Sequence, residues 1–369
     1  MSGRVIVVGS VNIDFVARVP HLPHPGETVT GGSYDRHHGG KGGNQAVAAA
    51  RLRRPTLFIG ALGDDMFEVE ARRALRAERV DVSMVASLPG QPTGVALILV
   101  DAAGENQIAV ISGANGAIDT GYVRECLGRL GRLTGDVVLV CNEVPLHVVR
   151  EALVSAHAAG ATTVLNPAPA TGIGRSVFAL ADIITPNRSE LSMLLQTEAR
   201  ETGRRTDASQ EIAVRARQLI EPGPDGPGVR KALIVTLGAS GVVVLERIGS
   251  GLEGAAASKG QTSDEADTAG PEAEAIARDG VIAASAAAAG PDADGIRVWE
   301  VPADRVATVD STGAGDAFNG ALAAAIAEGR SLAEAVQRAV AAGALATTHV
   351  GAREGMPTAL ELEEFLATQ

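Results

Sequence analysis

A glycine-rich turn between two carboxylates, Asp-Ser-Thr-Gly-Ala-Gly-Asp over residues 310–316, has the residue types needed to hold and transfer an anionic group. The pattern predicts a strand before it, Val306–Val309, and a long Ala-rich helix after it, Gly313–Glu328. The first N–H groups of a helix lack partners within the helix and, with the helix dipole, bind anions. Asp316 lies in that first turn, where it could accept the proton of an attacking hydroxyl or simply stabilise the helix. The residues predicted to form the anion hole are Gly313, Ala314 and Gly315.

Four further polar clusters follow predicted strands. At one edge of a parallel sheet, such clusters would line the ligand site of an open α/β fold. Taken singly, each also has a structural explanation, such as an Asx-turn, an ordinary turn or a helix capping box. The clusters are Asn12 with Asp14, Asn142 with Glu143, Asn187 with Glu190, and Thr236 with Leu237, Gly238 and Gly241.

Residues 39–44, Gly-Gly-Lys-Gly-Gly-Asn, have the composition of a phosphate-binding loop but not its spacing. The GxxxxGK[ST] pattern is absent, and Gly42 follows Lys41 where Ser or Thr would be required. Spacing alone therefore favours a turn that leads into a helix.

Strands and helices are predicted to alternate along most of the chain, which is typical of an α/β fold with a mostly parallel sheet. A hairpin is predicted from two β-rich runs around a Gly-containing turn. Strands are predicted at Val5–Val8, Leu57–Gly60, Gly94–Val100, Asn106–Ile111, Val137–Val140, Thr162–Leu165, Ile183–Thr185, Leu233–Leu237, Val242–Leu245 and Ile296–Val301, with a strand-like piece at Glu27–Thr30. Helices are predicted at 42–51, 65–78, 145–159, 174–181, 189–195, 209–220, 332–347 and 358–367.

The composition excludes several classes of protein. The 369 residues carry a net charge of −12, which argues against a nucleic-acid partner and against an electrostatic membrane anchor. No run approaches the roughly 18 apolar residues of a membrane-spanning helix. Cys126 and Cys141 cannot form a disulfide framework, so a cytoplasmic location is expected. Residues 249–295 are rich in Ala and acidic residues and contain no aromatic residue, and they are predicted to form a disordered insertion.

In their order and local sequence, the clusters resemble the PfkB family of carbohydrate kinases from Val5 to about Phe365, apart from the insertion. GGKGGNQA at 39–46 and NPAPA at 166–170 resemble, within the family, the kinases of ribose. The other stretches that carry the resemblance are 9–14, 25–28, 93–96, 184–187 with Glu190, 236–238 and 310–316. The resemblance implies a single kinase domain over 1–369, with a three-layer α/β/α fold and a small β-sheet lid built from 15–35 and 94–111. It also implies a homodimer joined through the lid.

The resemblance implies that D-ribose is phosphorylated by ATP at its 5-hydroxyl, with Asp316 as the base and Gly313 to Gly315 as the anion hole. A helix N-terminus is expected to lower the pKa of Asp316. The residues implied to hold the sugar are Asn12, Asp14, Gly40, Lys41, Gly42, Asn44, Glu143 and Asp316.

The resemblance also implies two cations beside the nucleotide. Asn187 and Glu190 would organise Mg²⁺ and its waters. The nucleotide itself would contact Thr236, Leu237, Gly238, Gly241 and Gly315. A K⁺ activator would be held by Asp310, Thr312, Ala346, His349, Gly351 and Gly355, the last of which stands where the family commonly has Ser.

Other functions stay open on the sequence. A kinase of the same family could act on deoxyribose, fructose or adenosine instead. A sugar-binding regulator without activity is disfavoured by the intact Asp316 and glycine-rich turn. A nicotinamide dehydrogenase would need GxGxxG after the first strand, and residues 9–14 do not provide it.

Overall fold

Alternating apolar side chains on a central sheet divide the core into two halves. In the first strand, Val5 and Val7 belong to one buried cluster, whereas Ile6 and Val8 belong to the other. Successive residues of a strand point to opposite faces, so both faces of this sheet are covered by helices. The computed structural model describes residues 3–195, 208–223, 226–249 and 291–369, and in these the predicted three-layer α/β/α fold is confirmed.

The described strands form two separate sheets. Nine strands lie in the order β13-β12-β11-β10-β9-β8-β1-β4-β5, and four lie in the order β3-β2-β6-β7. The larger sheet is parallel from β5 to β11, and β12 and β13 are antiparallel at its edge. The strands are β1 (Val5–Val8), β2 (Asn12–Arg18), β3 (Ser33–Gly39), β4 (Thr56–Gly63), β5 (Val80–Leu88), β6 (Gly94–Val100), β7 (Asn106–Ile111), β8 (Val137–Cys141), β9 (Thr162–Asn166), β10 (Ile183–Ile184), β11 (Ala232–Thr236), β12 (Val242–Arg247) and β13 (Ile296–Val301).

The helices cover the two faces of the larger sheet. One face packs against α1, α2, α9, α10 and α11, and the other against α3 to α8. A short 3₁₀ turn, Gly238–Ser240, joins β11 to β12. The helices are α1 (Lys41–Arg51), α2 (Met66–Ala77), α3 (Ala114–Ala117), α4 (Thr120–Arg129), α5 (Leu146–Ala158), α6 (Arg175–Phe178), α7 (Arg188–Leu194), α8 (Ala208–Ile220), α9 (Ala314–Ala327), α10 (Leu332–Ala346) and α11 (Ala359–Ala367).

The smaller sheet contains the predicted hairpin, in which β6 and β7 pair antiparallel with Val100 opposite Asn106. The prediction of a strand at Glu27–Thr30 is wrong, because this segment lies in the loop between β2 and β3. There the Glu27 carboxylate accepts hydrogen bonds from the backbone N–H of His24 and pairs with the His21 ring, both at 2.9 Å. Local bonds of this kind compete with strand pairing.

A second predicted strand, Val306–Val309, is also absent, and the segment is an irregular loop. The N–H groups of Val309 and Asp310 both donate to the carbonyl oxygen of Thr347, just past α10, at 2.7 and 3.1 Å. Because these donors are satisfied at a helix end, the glycine-rich turn is held by α10 rather than by the sheet.

Three further sequence predictions concern membrane helices, the cysteines and the insertion. Among the described residues, no helix is long and apolar enough to cross a membrane. Both cysteines are buried free thiols. Of the predicted insertion 249–295, residues 250–290 lie outside the described residues.

Candidate active site

The predicted polar clusters meet at one edge of the larger sheet. The strands β11, β10, β9, β8 and β1 are consecutive neighbours in the sheet, and β8 to β11 all run parallel to β1. Their carboxyl ends therefore lie side by side. The residues at or just past these ends are Asn12, Glu143, Asn166, Asn187 and Thr236.

Close packing of α1 against α9 brings Asp316 to this edge. A Cβ at Gly320, one turn after Asp316, would lie 2.5 Å from the Cβ of Ala48 and 2.7 Å from the carbonyl oxygen of Gln45. Since real Cβ atoms do not approach so closely, glycine is what allows the two helices to touch here. The contact places the first turn of α1 directly beside the first turn of α9.

Asp316 is buried and bonded to two amides of α1. Asn44 Nδ2 donates to its Oδ2 and Gln45 Nε2 donates to its Oδ1, both at 3.0 Å. Burial raises the pKa of Asp316, while the charge of Lys41 and the two amide hydrogen bonds act to lower it. The expectation that the helix N-terminus would lower this pKa is therefore wrong, because desolvation of the carboxylate outweighs the favourable groups. A raised pKa makes Asp316 a stronger base.

The segment that leads into α1 and forms its first turn is shaped by glycines that pack on the turn after β1. Gly40 has φ +84°, and a Cβ there would lie 2.7 Å from the backbone nitrogen of Asn12. A Cβ at Gly42 would lie 2.7 Å from the nitrogen of Ser10. The predicted sugar-binding residues Gly40 and Gly42 thus act through their small size, which lets residues 39–44 (the acceptor loop) lie directly on the turn.

Glu143 ties the acceptor loop to the end of β8. Its Oε2 accepts hydrogen bonds from the Lys41 N–H at 2.9 Å and from Ser10 Oγ at 2.5 Å, and its Oε1 lies 4.0 Å from Lys41 Nζ. Burial opposes the charge of Lys41, but the carboxylates of Asp316 and Glu143 outweigh it and raise the Lys41 pKa. The Lys41 ammonium therefore stays charged beside the Glu143 carboxylate.

Asn12 and Asp14 lie at the start of β2, where the two sheets meet. Asn12 is buried and its Oδ1 accepts from Asn115 Nδ2 at 2.8 Å. Asp14 Oδ1 is buried without a hydrogen-bond partner among the described residues. Burial, and next the charge of Glu143, raise the pKa of Asp14 to about 6. A cavity of about 350 Å³ lined by Asn12, Glu143 and Asn115 opens beside Asn12, so hydroxyl groups of a ligand could bond to Asn12 and Glu143 there.

The predicted anion hole has the required backbone conformation. Gly313 is left-handed, with φ +79°, and a Cβ there would lie 2.8 Å from the Cα of Ala352. At Gly315 an added Cβ would meet no described atom within 4 Å, so space is open above this turn. Asn319 Nδ2 donates to the Gly315 carbonyl oxygen at 2.8 Å. The Ala314 N–H donates to the Ser311 carbonyl oxygen at 3.2 Å, so the N–H groups of Gly313 and Gly315 are the ones in this turn that can face an anion.

The predicted magnesium and nucleotide residues lie together at the ends of β10 and β11. Asn187 and Glu190 form the capping box of α7, each accepting from the other's backbone N–H at 2.8 Å. Thr236 bridges to Asn187, and its N–H donates to Pro186. Burial raises the pKa of Glu190, although its bond from Asn187 and the charge of Lys41 lower it. Leu237 and Gly238 begin the 3₁₀ turn, and a Cβ at Gly241 would lie 2.0 Å from the Val301 carbonyl oxygen.

The predicted potassium residues gather in the loop behind the glycine-rich turn. Asp310 Oδ1 accepts from the N–H and hydroxyl of Thr312, and its Oδ2 accepts from the Gly351 N–H at 2.9 Å. A Cβ at Gly355 would lie only 2.2 Å from the Ala346 carbonyl oxygen. The sixth predicted residue, His349, uses its ring nitrogen Nδ1 to contact Thr348.

Sequence reasoning missed the polar residues that hold the site from behind. Gln45 Nε2 also contacts Asn166 Oδ1 at 3.0 Å, and Asn166 Nδ2 donates to the Thr185 carbonyl oxygen. Thr185 in turn donates to Asn319 at 2.6 Å. Gln45 and Asn166 lie within the GGKGGNQA and NPAPA stretches, and this position could have identified them as site residues. Arg353, which donates to Asn44, lies in no such stretch, so nothing in the sequence indicated its role.

Comparisons with known proteins extend over the whole chain. A family model described as pfkB family carbohydrate kinase matches residues 2–270 and 252–359. The chain is 32% identical over 366 residues to a ribokinase of Haemophilus influenzae, with 99% of each chain covered. A ribokinase structure from Cryptococcus neoformans var. grubii in complex with ADP has a TM-score of 0.73 and 27% identity, covering 98% of this chain and 99% of that one. The Arabidopsis thaliana ribokinase complexed with ribose and ATP has a TM-score of 0.70 and 26% identity, covering 99% of both.

Proposed function

Because the chain belongs to the pfkB family of carbohydrate kinases, we propose that it is a ribokinase, which transfers the γ-phosphoryl group of ATP to the 5-hydroxyl of D-ribose. The observation that carries the proposal is the buried Asp316, bonded to Asn44 and Gln45 of the acceptor loop and first turn of α1, at the start of the helix that follows the anion hole. Ribokinases similar to this chain over nearly its full length support ribose as the acceptor.

In the proposed reaction, Asp316 accepts the proton of the 5-hydroxyl as that oxygen bonds to the γ-phosphorus and the bond to ADP breaks. The N–H groups of Gly313 and Gly315 stabilise the charge on the transferred group. Burial keeps water away from Asp316 and strengthens these interactions. The other hydroxyls of the sugar are held by Asn12, Asp14, Lys41, Asn44 and Glu143.

Asn187 and Glu190 fit Mg²⁺ through its water molecules rather than by direct ligation. Among the described residues no group of three or more His, Cys, Asp or Glu side chains could hold a metal, and the two side chains already cap α7. Mg²⁺ commonly keeps several waters and binds to phosphates beside one or two carboxylates. There it would neutralise phosphate charge, with Glu190 orienting its waters.

The loop formed by Asp310, Thr312 and Gly351 fits a monovalent cation beside the anion hole. Asp310 would provide a carboxylate, and carbonyl oxygens would come from the backbone at Ala346, His349 and Gly351, with Gly355 standing where the family commonly has Ser. K⁺ would supply positive charge behind the turn and order it. We expect K⁺ to raise kcat although Gly355 offers no side-chain oxygen.

The smaller sheet is proposed to act as a lid over the sugar and to join two copies of the chain. The residues of β7 are exposed throughout, including apolar Ile108 and Val110 at 56% each. An exposed apolar strand at a sheet edge is a liability unless it is covered. Analytical ultracentrifugation should show a dimer that Ile108→Asp converts to a monomer; a monomeric wild type would contradict this.

The function is tested by coupled ADP release with Mg-ATP and D-ribose, 2-deoxyribose, fructose or adenosine, with and without K⁺. Wild type should turn over D-ribose fastest, and K⁺ should increase the rate. Asp316→Asn should lower kcat by about 10³-fold or more while leaving ribose binding measurable by calorimetry. Turnover of another acceptor but not ribose would indicate a kinase of the same family with a different substrate. Ribose binding without any turnover would indicate a non-catalytic binder instead.

A further inference from the structure

Arg353 is a buried cation in the turn that follows α10, two residues beyond Gly351. The residue is only 6% exposed. Its Nε donates to Asn44 Oδ1 at 2.9 Å and its Nη2 donates to the Gly39 carbonyl oxygen at 3.1 Å. Both partners belong to the acceptor loop. The side chain therefore reaches from the loop that carries the predicted potassium residues into the proposed sugar site.

The surroundings of Arg353 are built to admit it. A Cβ at Gly43 would lie 2.5 Å from Arg353 Nη2, so the guanidinium occupies space that only glycine leaves open. Arg51 Nη1 holds the same turn through the carbonyl oxygens of Arg353 and Met356, at 2.6 and 2.8 Å. An unpaired buried charge costs several kcal/mol, and these contacts with the acceptor loop offset that cost.

The bond from Arg353 fixes which way the Asn44 amide points. Because Asn44 Oδ1 accepts the hydrogen bond from Arg353 Nε, Asn44 Nδ2 is directed at Asp316 Oδ2, 3.0 Å away. The opposite orientation would place an amide oxygen against a carboxylate and an amide N–H₂ against a guanidinium, and both contacts are repulsive. Arg353, Asn44 and Asp316 thus form a hydrogen-bonded chain in which each donor and acceptor has only one favourable direction.

Arg353 also acts on Asp14 through its charge. Burial and Glu143 raise the pKa of Asp14, and the positive charge of Arg353 opposes them. The Arg353 guanidinium stays protonated at neutral pH. Two cations, Lys41 and Arg353, thus offset part of the negative charge of the three carboxylates Asp14, Glu143 and Asp316.

We propose that Arg353 is a positioning residue of the acceptor site, which aims the Asn44 amide at Asp316 and supplies positive charge beside Asp14. The inference deepens the proposed function and rests on it, because it assigns the acceptor loop to the sugar. It predicts that the loss of Arg353 lowers kcat/KM for the sugar and leaves the KM of ATP unchanged.

The first test compares wild type with Arg353→Met, which keeps an unbranched apolar stem and removes the charge and the donors of the side chain. Loss of a charge-assisted hydrogen bond should lower kcat/KM for ribose by about 10- to 100-fold, with the KM of ATP within about 2-fold of wild type. Arg353→Lys retains the charge without the fork, so it should recover the ribose KM more fully than kcat. If Arg353→Met does not fold, Arg353→Lys takes its place in every comparison.

A double-mutant cycle tests whether Arg353 acts through Asn44. Asn44→Ala should lower kcat, and adding Arg353→Met should lower it little further, because the amide that Arg353 orients is already gone. Arg51→Gln is the matched control, since it removes two contacts of the same turn but none with the acceptor loop. It should lower Tm and leave kcat/KM for ribose within about 2-fold of wild type.

Three results would overturn the inference: wild-type kinetics in Arg353→Met, a KM of ATP that rises as much as the KM of ribose, or additive effects on kcat with Asn44→Ala. An Arg51→Gln variant that reproduced the ribose defect would reduce Arg353 to a structural role. If wild type does not use ribose, the proposed function fails separately. In that case, kcat/KM for the acceptor that wild type does phosphorylate, and the KM of ATP, are compared between Arg353→Met and wild type to decide the role of Arg353.

Discussion

The two halves of the site are built in opposite ways. In the acceptor half, around Asn12, Asp14, Lys41 and Asn44, the functional atoms belong to buried or half-buried side chains. Asn44 bonds to Asp316, Asn12 to Asn115, and Lys41 faces Glu143. In the phosphate half, residues 310–316, the functional atoms are backbone N–H groups. Side chains there, such as Asp310 with its bonds to Thr312 and Gly351, hold the backbone in place.

This difference predicts how each half tolerates substitution. A hydroxyl-bearing substrate is distinguished by directed polar side chains, since a missing partner in a buried site is costly. A phosphoryl group carries charge on several oxygens and is well matched by a ring of N–H donors. The acceptor half should therefore fail when side-chain atoms are removed, and the phosphate half should fail when a Cβ is added.

After the loss of Asp316 itself, Gly313→Ala should give the largest effect, because it adds a Cβ where φ is +79° and the Cα of Ala352 would lie 2.8 Å away. Displacing the anion-hole donors should lower kcat by about 10²- to 10³-fold, with the KM of ribose nearly unchanged. The measurement is steady-state kinetics with ribose and ATP varied in turn.

The matched control for Gly313→Ala is Gly329→Ala, just past the other end of α9. Gly329 has φ +89°, and no described atom lies within 4 Å of the added Cβ. It should cost about 1 kcal/mol of folding stability without any loss of kcat. A Gly313→Ala enzyme with normal kcat would show that the anion is bound elsewhere.

Gln45→Leu should give the next largest effect, because it removes atoms from the acceptor half. Asp316 loses the donor at its Oδ1 and Asn166 loses its link to α1. We expect kcat to fall by about 10- to 100-fold. The Gln45 bond lowers the pKa of Asp316, so its loss raises that pKa and moves the acid limb of the kcat–pH profile to higher pH.

The control for Gln45→Leu is Thr163→Val, near the amino end of β9 and away from the site. It removes buried hydrogen bonds between Thr163 and Asp182. Thermal denaturation should show a lower Tm, while kcat and its pH profile stay those of wild type. If Gln45→Leu lowers Tm but leaves kcat and its pH profile unchanged, the Gln45 amide contributes to packing and not to the function of Asp316.

The sequence predicted the backbone-built half more completely than it predicted how the other half is held. Glycine-rich turns and capping boxes are local, so residues 310–316 and 187–190 could be read from spacing, although the strand before the turn could not. The Asp316 pKa depends on desolvation by α1, which is 272 residues away from it at the Asn44 contact. Arg353 reaches Asn44 from 309 residues away. No local pattern in the sequence records either contact, because the first depends on how α1 packs against α9 and the second on how α1 packs against the turn after α10.

The smallest effect should appear in the pH dependence of sugar binding, which separates the two halves without any substitution. The Asp14 pKa is about 6 in the free protein, set by burial, Glu143, Arg353, His37 and Asp316. Above this pH the carboxylate can accept hydrogen bonds from sugar hydroxyls, and below it protonation removes an acceptor. Ribose affinity, measured by calorimetry without nucleotide, should therefore fall several-fold from about pH 7.5 to about pH 5. Asp14→Asn should bind more weakly at pH 7.5 and show a much flatter dependence. An affinity that does not change over this interval would mean that Asp14 does not touch the sugar.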